Sequence, residues 1–125
     1  MILTLLFVVH QHVMGFTNAK HAFRLLDDGG AIEVRALDEK EIPMVRHHLQ
    51  MIAKQFADGD FHNPMAVHDQ MPDGAARMSE LRNYISYRYS DIENGGRVRI
   101  RTSNAEALKA VHEFLRFQIR EHKTD

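Results

Sequence analysis

Residues 27–38 read DDGGAIEVRALD, and residues 94–104 read NGGRVRIRTSN. Each is a paired-glycine turn, then a strand of alternating apolar and polar residues, then a residue suited to capping a helix. Behind them come HHLQMIAKQF (47–56) and HEFLRFQI (112–119), both of helical period and both containing a histidine. The interval from Asp38 to His47 equals that from Ser103 to His112, nine positions. The chain therefore reads as a repeated ββα unit. Two such units predict an α+β fold, a four-stranded antiparallel sheet carrying both main helices on one face.

Working outward, His21–Leu26 and Ala31–Ala36 form the first hairpin, and Asp38 can cap a helix that tolerates Pro43 because it lies in the first turn. Val45, Leu49, Ile52 and Phe56 give that helix one buried face before it ends ahead of Asp58-Gly59-Asp60. From Gly59 to Gly74 the composition is that of a loop. A short helix follows over Ala75–Arg82. The second hairpin alternates Ile85, Tyr87 and Tyr89 before its turn, and Val98, Ile100 and Thr102 after it. Ser103 or Asn104 then caps a helix reaching Glu121. A single domain is expected, divided into an apolar N-terminal segment (1–19), a first ββα unit (20–57), a loop with a short helix (58–82) and a second ββα unit (83–125). Among Gly29, Gly30, Gly95 and Gly96, each hairpin should hold at least one glycine with positive φ.

With 125 residues, 44% hydrophobic and 26% charged, the composition is that of a globular chain and excludes disordered, collagen-like and membrane-spanning classes. A net charge of -1 argues against nucleic acid as the main partner. Arg97, Arg99 and Arg101 nevertheless alternate along one strand, on one face, where they read either as solvated surface or as an anion site. The absence of cysteine removes disulfides, thiolate metal sites and cysteine nucleophiles together, and leaves the compartment undecided. Ile2–Val9 has the length of a signal-peptide apolar region, with Thr17-Asn18-Ala19 as a loose cleavage site. No Lys or Arg precedes it, so a retained segment and an export signal both stay open. It is too short to span a bilayer.

On the last helix Leu108, Val111, Leu115 and Ile119 form one apolar stripe, and Ala107, Ala110, Phe114 and Phe117 form a second beside it. Only Lys109, Glu113, Arg116 and Arg120 remain as a polar strip. One sheet face cannot hide both stripes, so the N-terminal apolar run or a second subunit must cover the surplus; a homodimer is the favoured expectation, with Ala107, Ala110, Phe114 and Phe117 at its interface.

The compositional oddity is nine histidines and seven methionines. They combine as His10, His12 and Met14, which share a face if extended; as Met44, His48 and Met51, on one helical stripe; and as Met65, His68 and Met71 near the central loop. His112 and His122 sit beside the apolar stripe of the last helix. Imidazole with thioether suits copper, while zinc calls for carboxylates or thiolates more often. Asp58, Asp60, Asp69 and Asp73, near His62 and His68, would permit acid–base or hard-metal chemistry, or are simply solvated. No phosphate loop, GxGxxG, HExxH or nucleophile elbow is present.

Taken together, MGFTNAKHAFRLL (14–26), DGGAIEV (28–34), RHHL (46–49), IAKQFADGDF (52–61) with Pro64 and His68 after it, GGRVRIRTS (95–103) and ALKAVHEFLRFQIREHKTD (107–125) resemble a family of small, histidine-rich bacterial proteins, some with export signals. A His-His pair before the first strand is usual in that family, and this chain has His21-Ala22 there. The resemblance implies no activity. It points to His21, His48, His68, His112 and His122 as functional positions. The expectation is a non-catalytic binding domain with a copper or zinc site at these histidines, assisted by Met44, Met51, His10 and His12. The alternative is a homodimeric interaction or small-ligand module without metal.

Overall fold

The computed structural model describes residues 19–62 and 71–122. The N-terminal apolar segment up to residue 18, with His10, His12 and Met14, lies outside them, as do Met65, His68 and Asp69. Strands β1 (Ala19–Leu26), β2 (Gly29–Ala36), β3 (Ile85–Ile92) and β4 (Gly95–Thr102) form one antiparallel sheet in the order β1-β2-β4-β3. Helices α1 (Ile42–Ala57) and α3 (Ala105–His122) cover one face, and α2 (Ala75–Glu80) packs against α3. The expected α+β architecture is the observed one.

Local chemistry explains each boundary. Asp38 accepts a hydrogen bond from the Lys40 amide at 3.0 Å, starting the short 3-10 turn Glu39–Glu41 that leads into α1, with Pro43 in the first helical turn. Asn104, rather than Ser103, caps α3 by accepting from the Ala107 amide at 2.9 Å. Gly59, with φ +83, ends α1 in the left-handed conformation that glycine adopts without a Cβ clash. The α2 helix stops at Glu80, short of the expected Arg82, because the chain tightens into a 3-10 turn over Arg82–Tyr84.

Two neighbouring central strands, β2 and β4, relate the two units by an internal twofold. The same shift of 66 residues carries β1 onto β3 (Ala19 to Ile85) and β2 onto β4 (Gly29 to Gly95). It also carries Asp38 onto Asn104, both caps. The relation extends to single contacts. A β-carbon at Gly29 would overlap the Ile100 carbonyl oxygen, and one at its mate Gly95 would overlap that of Val34. One at Gly30 would overlap Leu115 and the Arg24 carbonyl oxygen, and one at Gly96 would overlap the Tyr89 ring and crowd Leu49. In each pair, then, the first glycine admits the neighbouring strand, and the second lies against its own hairpin partner strand and a helix leucine. Only one of the four has a left-handed φ, Gly29 at +149; in the second hairpin Asn94 takes that role at +63, a conformation its short polar side chain tolerates.

Turn contacts are exchanged between the units. The Ala36 amide donates to Asn94 O at 2.8 Å, and its mate Thr102 donates to Asp28 O at 2.9 Å. Arg46 of α1 donates to Ile92 O (3.0 Å) and Gly95 O (2.9 Å) at the second hairpin. Its mate His112 of α3 reaches Leu26 O (2.8 Å) and Gly29 O (2.9 Å) at the first. The pairing of His47 with His112 suggested by equal spacing is therefore off by one, and Arg46 is the true counterpart.

The apolar surplus of α3 is covered within the chain. Ala107, Ala110, Phe114 and Phe117 are all buried, at 4% exposure or less. Phe114 makes edge-on contacts with Phe56 and Phe61, and Gly74, just ahead of α2, lies against the Ala110 carbonyl so closely that a β-carbon would overlap it. Among the described residues, Phe56, Phe61 and Gly74 thus cover Phe114 and Ala110, two of the four residues expected at a subunit interface.

Gly29→Ala and Gly95→Ala should each lower stability by about 2 to 3 kcal/mol, because the added methyl meets a backbone carbonyl that cannot rotate away. Urea unfolding measures it. Two losses of similar size are expected from twofold-related positions, and a loss below about 0.5 kcal/mol at either would contradict the close β2–β4 approach.

Candidate functional site

The structure distributes the predicted histidines over different environments. His112 places Nε2 against two turn carbonyls, so that nitrogen carries the proton and serves as a structural donor. His21, on the helix-facing side of β1, stacks on His122 at the end of α3, with ring centroids 4.8 Å apart, and Phe23 lies 5.2 Å from His122. His48 is buried in α1 at 7% exposure. Desolvation, followed by the charge of neighbouring His47, pulls its pKa down to about 4.

The internal twofold explains the burial. Shifted by 66 residues, His21, His48 and Phe56 become Tyr87, Phe114 and His122. Phe56 touches Tyr87 (5.9 Å) and Phe114 (5.6 Å) in the aromatic centre of the core. His21, His48 and His122 therefore stand where the other half of the molecule has Tyr87, Phe114 and Phe56. Among the described residues, no three His, Asp or Glu side chains come together as metal ligands. Met44 and Met51 are exposed on α1. Asp60 accepts from the His62 amide (2.9 Å) and Asp73 pairs with Arg120 (3.0 Å), so these two acids act locally.

What the fold does assemble lies on the other side of the sheet. Strand alternation, fixed by Phe23, Ile32, Val34, Val98 and Ile100 facing the helices, turns Lys20, Arg24, Arg35, Arg88, Arg97, Arg99 and Arg101 to the open face. Among the described residues two carboxylates, those of Glu33 and Asp28, reach into this group of seven cations, although the whole chain carries a net charge of -1. Charge is thus strongly segregated.

Glu33 organises the centre. It is 3% exposed and is paired with Arg97 (2.9 Å), Arg24 (3.1 Å) and Arg35 (3.5 Å), which keep 38%, 56% and 38% of their side chains accessible. Burial works against its charge, but hydrogen bonds from Arg97 and Arg24 outweigh that and hold its carboxyl below the usual glutamate range. Arg99 donates to Asp28 and to the carbonyls of Gly30 (3.2 Å) and Ile100 (2.6 Å), so it too is fixed in place. The Arg99 hydrogen bond in turn lowers the Asp28 pKa.

The small side chain of Ala31 leaves a depression of about 440 Å³, lined by Arg24, Leu26, Ala31, Glu33, Arg35, Arg97 and Arg99. That volume suits a small ligand. Across β3 and β4, Arg88 stands directly opposite Arg99, a like-charge pair that costs stability when nothing lies between the two. No histidine or aromatic ring occupies the strand positions of this face, so it provides neither a proton shuttle nor a stacking platform for bases. Sequence reasoning found Arg97, Arg99 and Arg101 but missed Arg24, Glu33, Arg35 and Arg88. Alternation within each hairpin was the available signal; the β2–β4 pairing that unites the two faces was not.

No protein-family model, curated protein or solved structure matches the chain.

His48 gives a testable pH dependence. Near pH 7.5 it is neutral whether the chain is folded or not. As the pH falls below 6.5 the unfolded chain takes up a proton that the folded core refuses until about pH 4, so stability is lost across that window. The loss approaches about 3 kcal/mol. His48→Phe, which installs the residue type of its twofold mate, should unfold in urea with a smaller drop between pH 7.5 and pH 4.5 than the wild type. Equal drops would show that His48 is hydrated or charged in the fold.

Proposed function

We propose that this chain is a binding domain that holds a small polyanion, of phosphate type, on the open face of its sheet. The carrying observation is the cluster around Glu33: three guanidinium groups oriented by one buried carboxylate, beside a fourth fixed by backbone carbonyls, around a depression of ligand size. Guanidinium groups held in advance lose little freedom on binding, and their fork of donors matches the oxygens of a phosphate. Glu33 is already engaged by its arginines, which makes it an organiser rather than an acid or base. A chain of near-zero net charge that gathers seven cations on one face concentrates positive potential there, which favours an anion.

Calorimetric titration with inorganic tripolyphosphate at low salt tests the reading. Binding should weaken steeply as salt is raised. Arg24→Ala and Arg35→Ala, which remove accessible cations while leaving Glu33 paired with Arg97, should each weaken it roughly tenfold, the value of one charge-assisted hydrogen bond. Absence of binding at millimolar ligand, or unchanged affinity in both variants, would overturn the proposal.

A further inference from the structure

Across the sheet from the arginines, the exposed flank of α1 combines two features. Met44 and Met51 are 46% and 41% exposed, although the helix has its apolar requirement met by Val45, Leu49, Ile52 and Phe56, all buried. His47 is exposed between them. At 3.6 residues per turn the three side chains leave the helix within an arc of about 60°, with one methionine on the turn before the imidazole and one on the turn after it. The structure also selects between the two adjacent histidines: His48 is turned into the core, leaving His47 as the accessible ring.

We infer that Met44, His47 and Met51 form a surface site for a soft monovalent metal ion, Cu(I). Thioether sulfur and neutral imidazole are soft ligands that select Cu(I) over harder divalent ions. The residues of α1 include no Asp or Glu, so the helix itself offers no carboxylate to favour zinc, calcium or magnesium. Two sulfurs and one nitrogen suffice for the low coordination number Cu(I) accepts. The side chains are long and solvent-facing, and can close on the ion without disturbing the buried stripe. Binding changes no oxidation state. The site shares no residue with the sheet face, so its success or failure is independent of the polyanion reading.

The test is anaerobic competition for Cu(I) supplied as its bicinchoninate complex, followed by loss of the complex's absorbance. The wild-type chain should withdraw one more equivalent of Cu(I) than the Met44→Leu/Met51→Leu variant, whose apolar replacements keep side-chain volume and an unchanged thermal melt. His47→Gln should weaken uptake at least tenfold. Ag(I), a redox-inert substitute, should shift two methionine methyl signals in the wild type, and both should vanish from the spectrum of the double variant. Equal uptake by wild type and double variant, or no uptake by the wild type, overturns the site.

Discussion

The antiparallel pairing of β2 with β4 is the contact on which the rest of this molecule depends. It runs from Gly29 opposite Arg101 to Arg35 opposite Gly95, joining two hairpins distant in sequence into one sheet. The approach is so close that each strand must begin with a residue lacking a β-carbon, and each does. Once the strands are in register, each turn reaches the end of the strand belonging to the other unit, and each helix supplies the polar side chain that satisfies the other unit's turn carbonyls. This exchange adds directional hydrogen bonds between halves that the shared apolar core already joins.

The twofold is obeyed by backbone and glycines and broken by side chains. Val45 and Val111, and Leu49 and Leu115, are mates and are equally buried. Arg46 and His112 perform the same task with different groups. Phe56, Tyr87 and Phe114 form an aromatic centre, while their mates His122, His21 and His48 bring imidazoles into the equivalent half. Phe61 and α2 fill space beside Phe114, and so finish the side of α3 that its own sequence leaves apolar.

A sheet with helices on one face only has a second face that must meet water, and this chain fills it with arginine. Arginine is suited to a solvated sheet surface because its stem covers apolar floor while its head stays wet. Among the described residues, seven cations meet two carboxylates there, and the arginines paired with Glu33 are the ones the proposed polyanion site uses. On the opposite layer, α1 exposes sulfur and imidazole together. The two proposed sites thus separate by ligand hardness as well as by position, with hard oxygen anions at the sheet and a soft cation at the helix.

The elements of this fold were legible in the sequence because their causes are local. Glycine pairs, alternation over residues 31–36 and 97–102, the Asp38 and Asn104 caps and the apolar period of both helices each act within a few residues of themselves. The partner of the surplus stripe on α3 was not legible, since Ala107, Ala110 and Phe114 are covered by residues far along the chain, and an apolar surface carries no label for what will cover it. The role of His112 was hidden for the same reason: its Nε2 is occupied by carbonyls more than eighty positions away. The open face of the sheet shows the division most clearly. Sequence alone set the alternation that puts arginines on one side of each strand; only the pairing of β2 with β4 set Glu33 among Arg24, Arg35 and Arg97, because strand register is a property of two strands and cannot be read from either one.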